Sequence, residues 1–194
     1  MRLGLFGGTF DPIHLGHIAL AREAHSVFEL DRVLLIPNNR PPHKAVGPCA
    51  SYEDRLRMVE LACEGEPGLQ ASRLEEGTER SYTIETLLKV RQDLKSGDRL
   101  YFLIGADAYA EVGTWYRWKE VLLTTEFIVV TRPGHQIVEI PGATAHRLET
   151  VAVPHSSSGI RVALASGKRP EGLAPPVYSF VRAFHLYQEA VHHA

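Results

Sequence analysis

Two histidines three residues apart, His14 and His17, flank Gly16 in the stretch Gly7-Gly8-Thr9-Phe10-Asp11-Pro12-Ile13-His14-Leu15-Gly16-His17. A short apolar run, residues 3–6, precedes it, and Ile18, Ala21, Ala24 and Phe28 follow at helical spacing. The order is therefore strand, glycine turn, loop, helix. Gly7 and Gly8 carry no Cβ, so the backbone there can turn sharply and a ligand can lie against it. Asp11-Pro12 is a turn-forming pair that stiffens the loop. A helix starting near Gly16 aims unpaired N–H groups and about half a positive charge at the loop. That end suits an anion, phosphate first, and the two imidazoles add N–H donors to it. No Gly-Lys-Ser/Thr ending makes this a P-loop, and Gly4, Gly7, Gly8 and Gly16 do not have G-x-G-x-x-G spacing. Taken alone, the histidine pair is also compatible with coincidence, and a zinc site lacks a third ligand.

Taken as a whole, the eleven-residue string resembles the signature of the HxGH nucleotidyltransferases, and its GGTFDPIH form resembles the bacterial nicotinate-nucleotide adenylyltransferases. The resemblance implies that His14, His17 and the helix end hold the phosphates of ATP, with Gly7, Gly8, Thr9 and Phe10 lining the nucleotide. It extends to Pro37-Asn38-Asn39-Arg40-Pro41-Pro42-His43-Lys44, similar to that family's second loop, where Lys44 would lie near the phosphates and the acceptor. On composition alone this loop could equally be a connection.

Ser81-Tyr82-Thr83-Ile84-Glu85-Thr86 opens a helix, and hydroxyls in that position commonly act as caps. The string also resembles the family's SYT element, which would give Thr83 a place beside the nicotinate carboxylate. Gly105-Ala106-Asp107 ends the clearest interior strand; its carboxylate can accept from ribose hydroxyls or cap the next helix. The family likeness places Gly105 and Asp107 by the nucleotide. In Trp115-Tyr116-Arg117-Trp118, Trp118 reads as core, whereas Trp115 matches a tryptophan that stacks on the pyridine ring and the Tyr116 amide lies by the carboxylate. Arg132 can bind a phosphate of the mononucleotide through its guanidinium fork or be a surface arginine. His155-Ser156-Ser157-Ser158-Gly159-Ile160-Arg161 opens a further helix and resembles the family's ISSTxIR, implying that Ser157, Ser158 and Arg161 bind the ATP phosphates. Two departures stand out: His155 replaces an apolar residue, and Ser158 replaces a threonine.

The chain has 194 residues and a net charge of −2, so it suits one domain over 1–194 with a sizeable core and no basic field for nucleic acid. Cys49 and Cys63 form neither a disulfide framework nor a metal motif. Without a signal-peptide pattern or a run of ~20 apolar residues, a cytoplasmic protein is expected. Strands are expected at residues 31–36, 69–74, 99–104, 126–131 and 150–153, besides the first. Residues 75–80 read as a solvated loop, and a helix closes the chain from Val177 to Tyr187 or Gln188. Ser51 and Asp54 start a helix whose Tyr52, Leu56, Val59 and Cys63 face the core. Alternating strands and helices, with every candidate ligand group at a strand end, specify an α/β fold, a doubly wound parallel sheet of Rossmann-like nucleotidyltransferase type.

The chemistry implied by the resemblance is adenylyl transfer from ATP, with Mg²⁺, to nicotinate mononucleotide, giving deamido-NAD and pyrophosphate. Its rivals are an HxGH transferase acting on nicotinamide mononucleotide or phosphopantetheine, a non-catalytic nucleotide sensor, and a metal hydrolase centred on the histidines.

Overall fold

Apolar residues that alternate along the sequence part to opposite sides of a single sheet. The computed structural model describes residues 1–39, 47–77, 81–150 and 155–188. Its strands are β1 (Arg2–Gly8), β2 (Arg32–Pro37), β3 (Leu69–Ala71), β4 (Arg99–Gly105), β5 (Glu126–Thr131) and β6 (Ala145–Glu149). Its helices are α1 (Leu15–Val27), α2 (Tyr52–Cys63), α3 (Thr83–Asp93), α4 (Ala106–Ala110), α5 (Trp118–Thr124), α6 (Ser157–Ala165) and α7 (Pro175–Ala183). The strands lie in the order β3-β2-β1-β4-β5-β6, and every pair is parallel.

On one face Leu5, Ile36, Phe102, Ile104, Phe127 and Val129 meet Ile84 and Leu87 of α3 and Val121 of α5. On the other, Phe6, Val33, Leu35, Leu103 and Ile128 meet Ile18 and Ala21 of α1, Val59 of α2, Ile160 of α6 and Val177 of α7. A parallel sheet covered on both faces needs such apolar strands. Each of these side chains larger than alanine contributes ~1.5–3 kcal/mol when fully buried. Exposed pairs such as Arg22–Glu66 and Arg117–Glu120 contribute ~0.2–1 kcal/mol each, so the two apolar layers hold the fold. The expected doubly wound parallel sheet is what the chain forms.

The winding reverses between β1 and β4, its neighbour in the sheet. Helices leave these strands on opposite faces, and a crevice opens past Gly7, Gly8 and Gly105 at their carboxyl ends. No helix among the described residues is long and apolar enough to cross a membrane.

Two elements differ from expectation. The strand expected at 150–153 lies, apart from Thr150, outside the described residues; among the described residues the last strand is β6, Ala145–Glu149, where none was expected. Leu148 is its one buried residue; the strand is fixed instead by β5, through His146 to Glu126 at 2.7 Å and Arg147 to Thr131 at 3.3 Å. A polar edge strand of this kind leaves no apolar run in the sequence. The closing helix stops at Ala183, short of Tyr187, because the chain reverses through left-handed residues His185 (φ 54) and Tyr187 (φ 62).

Gly68 leads into β3 at φ 76, and a Cβ there would stand 2.1 Å from the His25 ring. Gly68→Ala should cost about 1–3 kcal/mol or more, seen in calorimetry as a Tm lower by several degrees. An unchanged Tm would show that the contact is not confining.

Candidate functional site

The first loop is held by its own buried Phe10 and Ile13 and by contacts from elsewhere in the chain. His14 is the N-cap of α1, and its N–H donates to Nδ1 of His17 at 3.2 Å. The two rings stack with centroids 3.7 Å apart. Since Nδ1 of His17 accepts, the neutral ring carries its proton on Nε2, as a donor. Phe10, buried at φ 47, sets its ring edge-to-face with His17 at 5.0 Å and with Phe6 at 5.5 Å. A Cβ on Gly8 would come within 2.9 Å of the Phe10 ring, so glycine is required for this ring to close over the loop. Burial, helped by the neighbouring His14, pushes His17 down to about 3; burial, helped by His155, pushes His14 down to about 4. At neutral pH both imidazoles of the ligand-free site are neutral donors rather than cations.

Asp11 and Arg55 hold this loop from below. Asp11, 5% exposed, accepts from the N–H groups of Cys49 at 2.7 Å and Ala50 at 3.1 Å and from the Tyr187 hydroxyl at 2.8 Å. Arg55, 1% exposed, donates to the carbonyls of Thr9 and Asn38, both at 2.8 Å, and of Ala50 at 3.3 Å. It thereby joins the glycine loop to the end of β2. Burial lowers the Arg55 pKa, and the Asp11 carboxylate works against that shift.

The N-terminus of α6 is clamped to the same loop. Its N-cap Ser156 accepts from Gly159 N–H at 3.1 Å, and Ser158 Oγ lies 3.2 Å from Ser156 Oγ. Ser157 Oγ donates to the Pro12 carbonyl at 2.9 Å, and Arg161 Nη1 to the Asp11 carbonyl at 2.6 Å. His17, Ser157 and Arg161 consequently line one cavity of about 410 Å³ with Thr9, Phe10 and Cys49. Of the N–H groups at the start of α1, that of Leu15 is taken by the Gly172 carbonyl at 2.7 Å. His155 lies directly on Gly172, where a Cβ would come within 2.5 Å of its ring.

A second cavity, about 380 Å³, opens between the ends of β1 and β4 and the start of α3. Gly7, Asn38, Thr83, Gly105, Trp115 and Tyr116 line it. Trp115 stands edge-on to Phe102 at 6.2 Å, and Tyr116 packs on Tyr82 at 4.6 Å. Glu75 lines it too, against the expectation of a solvated loop: it is 5% exposed and accepts from Thr86 Oγ1 at 2.9 Å. Burial raises its pKa, opposed by hydrogen bonds to Ser81 and Thr86. Asp107 and Arg132 meet in a third cavity with Thr131 and His135, and Gly105 borders both. Arg132 thus keeps company with Asp107 and not with Trp115. Lys44 lies outside the described residues. Among those residues, no group of three His, Cys, Asp or Glu is placed to cage a metal ion.

Arg55, Glu75 and Tyr187 are parts that sequence reasoning missed. One signal was available, since Arg55 falls on the apolar face of α2, between Tyr52 and Val59 at helical spacing. Because an unfolded imidazole titrates near 6.5 and the folded rings near 4 and 3, the unfolded chain binds more protons between those values. Stability is therefore fully present above pH 6.5 and falls as the pH drops toward 4. His17→Gln should lose less of its urea midpoint than wild type between about pH 7 and about pH 4.5; equal losses would contradict the assignment.

A cytidylyltransferase-like family model matches residues 5–163. A probable nicotinate-nucleotide adenylyltransferase of Solibacter usitatus is 56% identical over 188 residues, covering 96% of this chain and 100% of that protein. One from Desulfatibacillum aliphaticivorans is 43% identical over 87% of this chain and 79% of its own. Among solved structures, the nicotinic acid mononucleotide adenylyltransferase of Plasmodium falciparum complexed with NaAD matches the fold with a TM-score of 0.77. That likeness covers 96% of this chain and 97% of the other at 18% identity. With relatives this similar along nearly its whole length, the chain belongs to the nicotinate-nucleotide adenylyltransferase family.

Proposed function

We propose that this chain transfers the adenylyl group of ATP to nicotinate mononucleotide, giving deamido-NAD and pyrophosphate, as a cytoplasmic step of NAD biosynthesis. The observation that carries this reading is the adjacency of two unlike cavities. One is lined by phosphate donors, His17, Ser157 and Arg161, and the other by aromatic rings and the start of α3.

The acceptor's phosphate is itself the nucleophile. It forms a new P–O bond to the α-phosphorus as the bond from that phosphorus to the bridging oxygen breaks, and pyrophosphate leaves with the electron pair. No protein nucleophile and no strong base are needed. Alignment of the two phosphates supplies much of the acceleration, and fixed donors on the growing charge supply more. Nε2–H of His17, His14, the Ser158 hydroxyl and the Arg161 guanidinium are those donors, and Ser157 joins them when its hydroxyl turns from the Pro12 carbonyl to the phosphate; Lys44 is assigned to the same task from its motif. Gly7, Gly8, Thr9 and Phe10 form the floor under the ATP.

In the aromatic cavity Trp115 offers its indole to the flat pyridine ring, while Thr83 and the Tyr116 amide meet the carboxylate. Asp107 receives ribose hydroxyls beyond Gly105. Arg132 stands on that same side, so it can hold the mononucleotide's phosphate only if the ligand passes over Gly105, which borders both cavities. Mg²⁺ bound to the triphosphate would neutralise part of the charge on pyrophosphate.

His17→Ala should lower kcat by at least ~10²-fold, as loss of one preorganised donor does. Trp115→Ala should raise KM for the acceptor roughly 3–10-fold with KM for ATP unchanged. Pyrophosphate release across nicotinate mononucleotide, nicotinamide mononucleotide and phosphopantetheine should be fastest with the first. Preference for either other acceptor would overturn the substrate, and ATP binding without release would leave a sensor.

A further inference from the structure

The chain past α7 returns to the phosphate cavity, and the way it returns is specific. Phe184 caps α7, His185 N–H donates to the Arg182 carbonyl at 3.3 Å, and Leu186 N–H donates to the Val181 carbonyl at 3.0 Å. These are the two bonds of a Schellman turn, closed by the apolar contact of Leu186 with the core around Val181. The left-handed position is filled by His185 at φ 54, and Tyr187 follows at φ 62. Side chains other than glycine hold that conformation only where surrounding contacts impose it. What the turn achieves is to deliver the Tyr187 hydroxyl to Asp11 Oδ1 at 2.8 Å.

We propose that Tyr187 is a positioning residue of the triphosphate site, acting through Asp11 on Arg161 and on the loop that bears His14 and His17. Asp11 Oδ1 is shared between Tyr187 and the Ala50 N–H, whereas Oδ2 takes the Cys49 N–H and stands 4.0 Å from Arg161 Nη1. Without the phenol, a carboxylate that is 5% exposed loses a donor that water cannot readily replace. A positive group already stands beside it: Arg161, whose side chain is a third exposed and lines the cavity with His17, holds the Asp11 carbonyl through Nη1 and keeps its other N–H groups for a ligand. The carboxylate then competes with phosphate for that guanidinium. Burial and the Asp11 charge raise the Tyr187 pKa well above its usual value, so the phenol remains a donor throughout the working range.

This inference rests on the proposed function for the name of the ligand, and its test separates the two. Tyr187→Phe in the full chain should weaken binding of a non-hydrolysable ATP analogue in calorimetry by about fivefold or more. KM for ATP should rise in parallel, while KM for nicotinate mononucleotide stays within about twofold. In an Asp11→Asn background the same substitution should add nothing to the loss, because the partner of the hydroxyl is already altered. Unchanged analogue affinity with a lower Tm would make Tyr187 merely structural and overturn the proposal. Equal losses for both substrates, or full additivity with Asp11→Asn, would overturn it as well. If wild type released no pyrophosphate, the proposed function would fail, yet analogue affinity would still decide the role of Tyr187.

Discussion

Asp11 is a carboxylate with almost no access to water, in a loop that must hold still, and the geometry of the cavity between the starts of α1 and α6 follows from how it is satisfied. Such a group costs several kcal/mol unless its oxygens meet donors. Here the donors come from the 47–50 segment and from the turn after α7, with Arg161 of α6 close by and bonded to the Asp11 carbonyl. Four stretches far apart in sequence are thereby drawn to one point. Arg55 does the reciprocal work, answering three carbonyls, one each from the glycine-rich loop, the end of β2 and the 47–50 segment. The loop buries Phe10 and Ile13, but that alone does not fix its glycine-rich backbone. Its rigidity is imported, through one buried carboxylate and one buried guanidinium.

The electrostatics of the cavity divide its labour. His14 and His17 are kept neutral by burial, so they offer oriented N–H groups without repelling each other across a stacking distance of 3.7 Å. Permanent charge comes from Arg161, on a separate helix whose N-terminus faces the same space. Fixed dipoles and a lasting cation require little rearrangement as charge moves toward a leaving pyrophosphate. The doubly wound sheet makes this possible by ending β1 and β4 side by side while their helices depart to opposite faces.

Much of this was legible in the residues. Strands β1, β2, β4 and β5 are apolar runs because both sheet faces are covered, and the loops after them carry the motif residues. The adjacency of the α1 and α6 ends followed from the paired phosphate motifs, though not the bonds that clamp them. Edge strand β6 was missed because its register comes from β5 rather than from its own apolar content. Glu75 sits in a charged string whose local composition reads as solvated; only the tertiary position of Thr86 reveals its burial. Tyr187 looked like one more apolar position of a closing helix, since nothing in the sequence announces a Schellman turn built without glycine. Arg132 could be placed at a strand end but not assigned to a cavity, because neighbouring strand ends in a parallel sheet open into different clefts.

The central claim is spatial: a triphosphate lies between the start of α1 and the start of α6. A crystal structure with a non-hydrolysable ATP analogue tests it most directly. The account predicts phosphate oxygens within hydrogen-bond distance of His17 Nε2 and of both Ser157 Oγ and the Arg161 guanidinium. Phosphates bound elsewhere, with His17 facing an empty cavity, would contradict it.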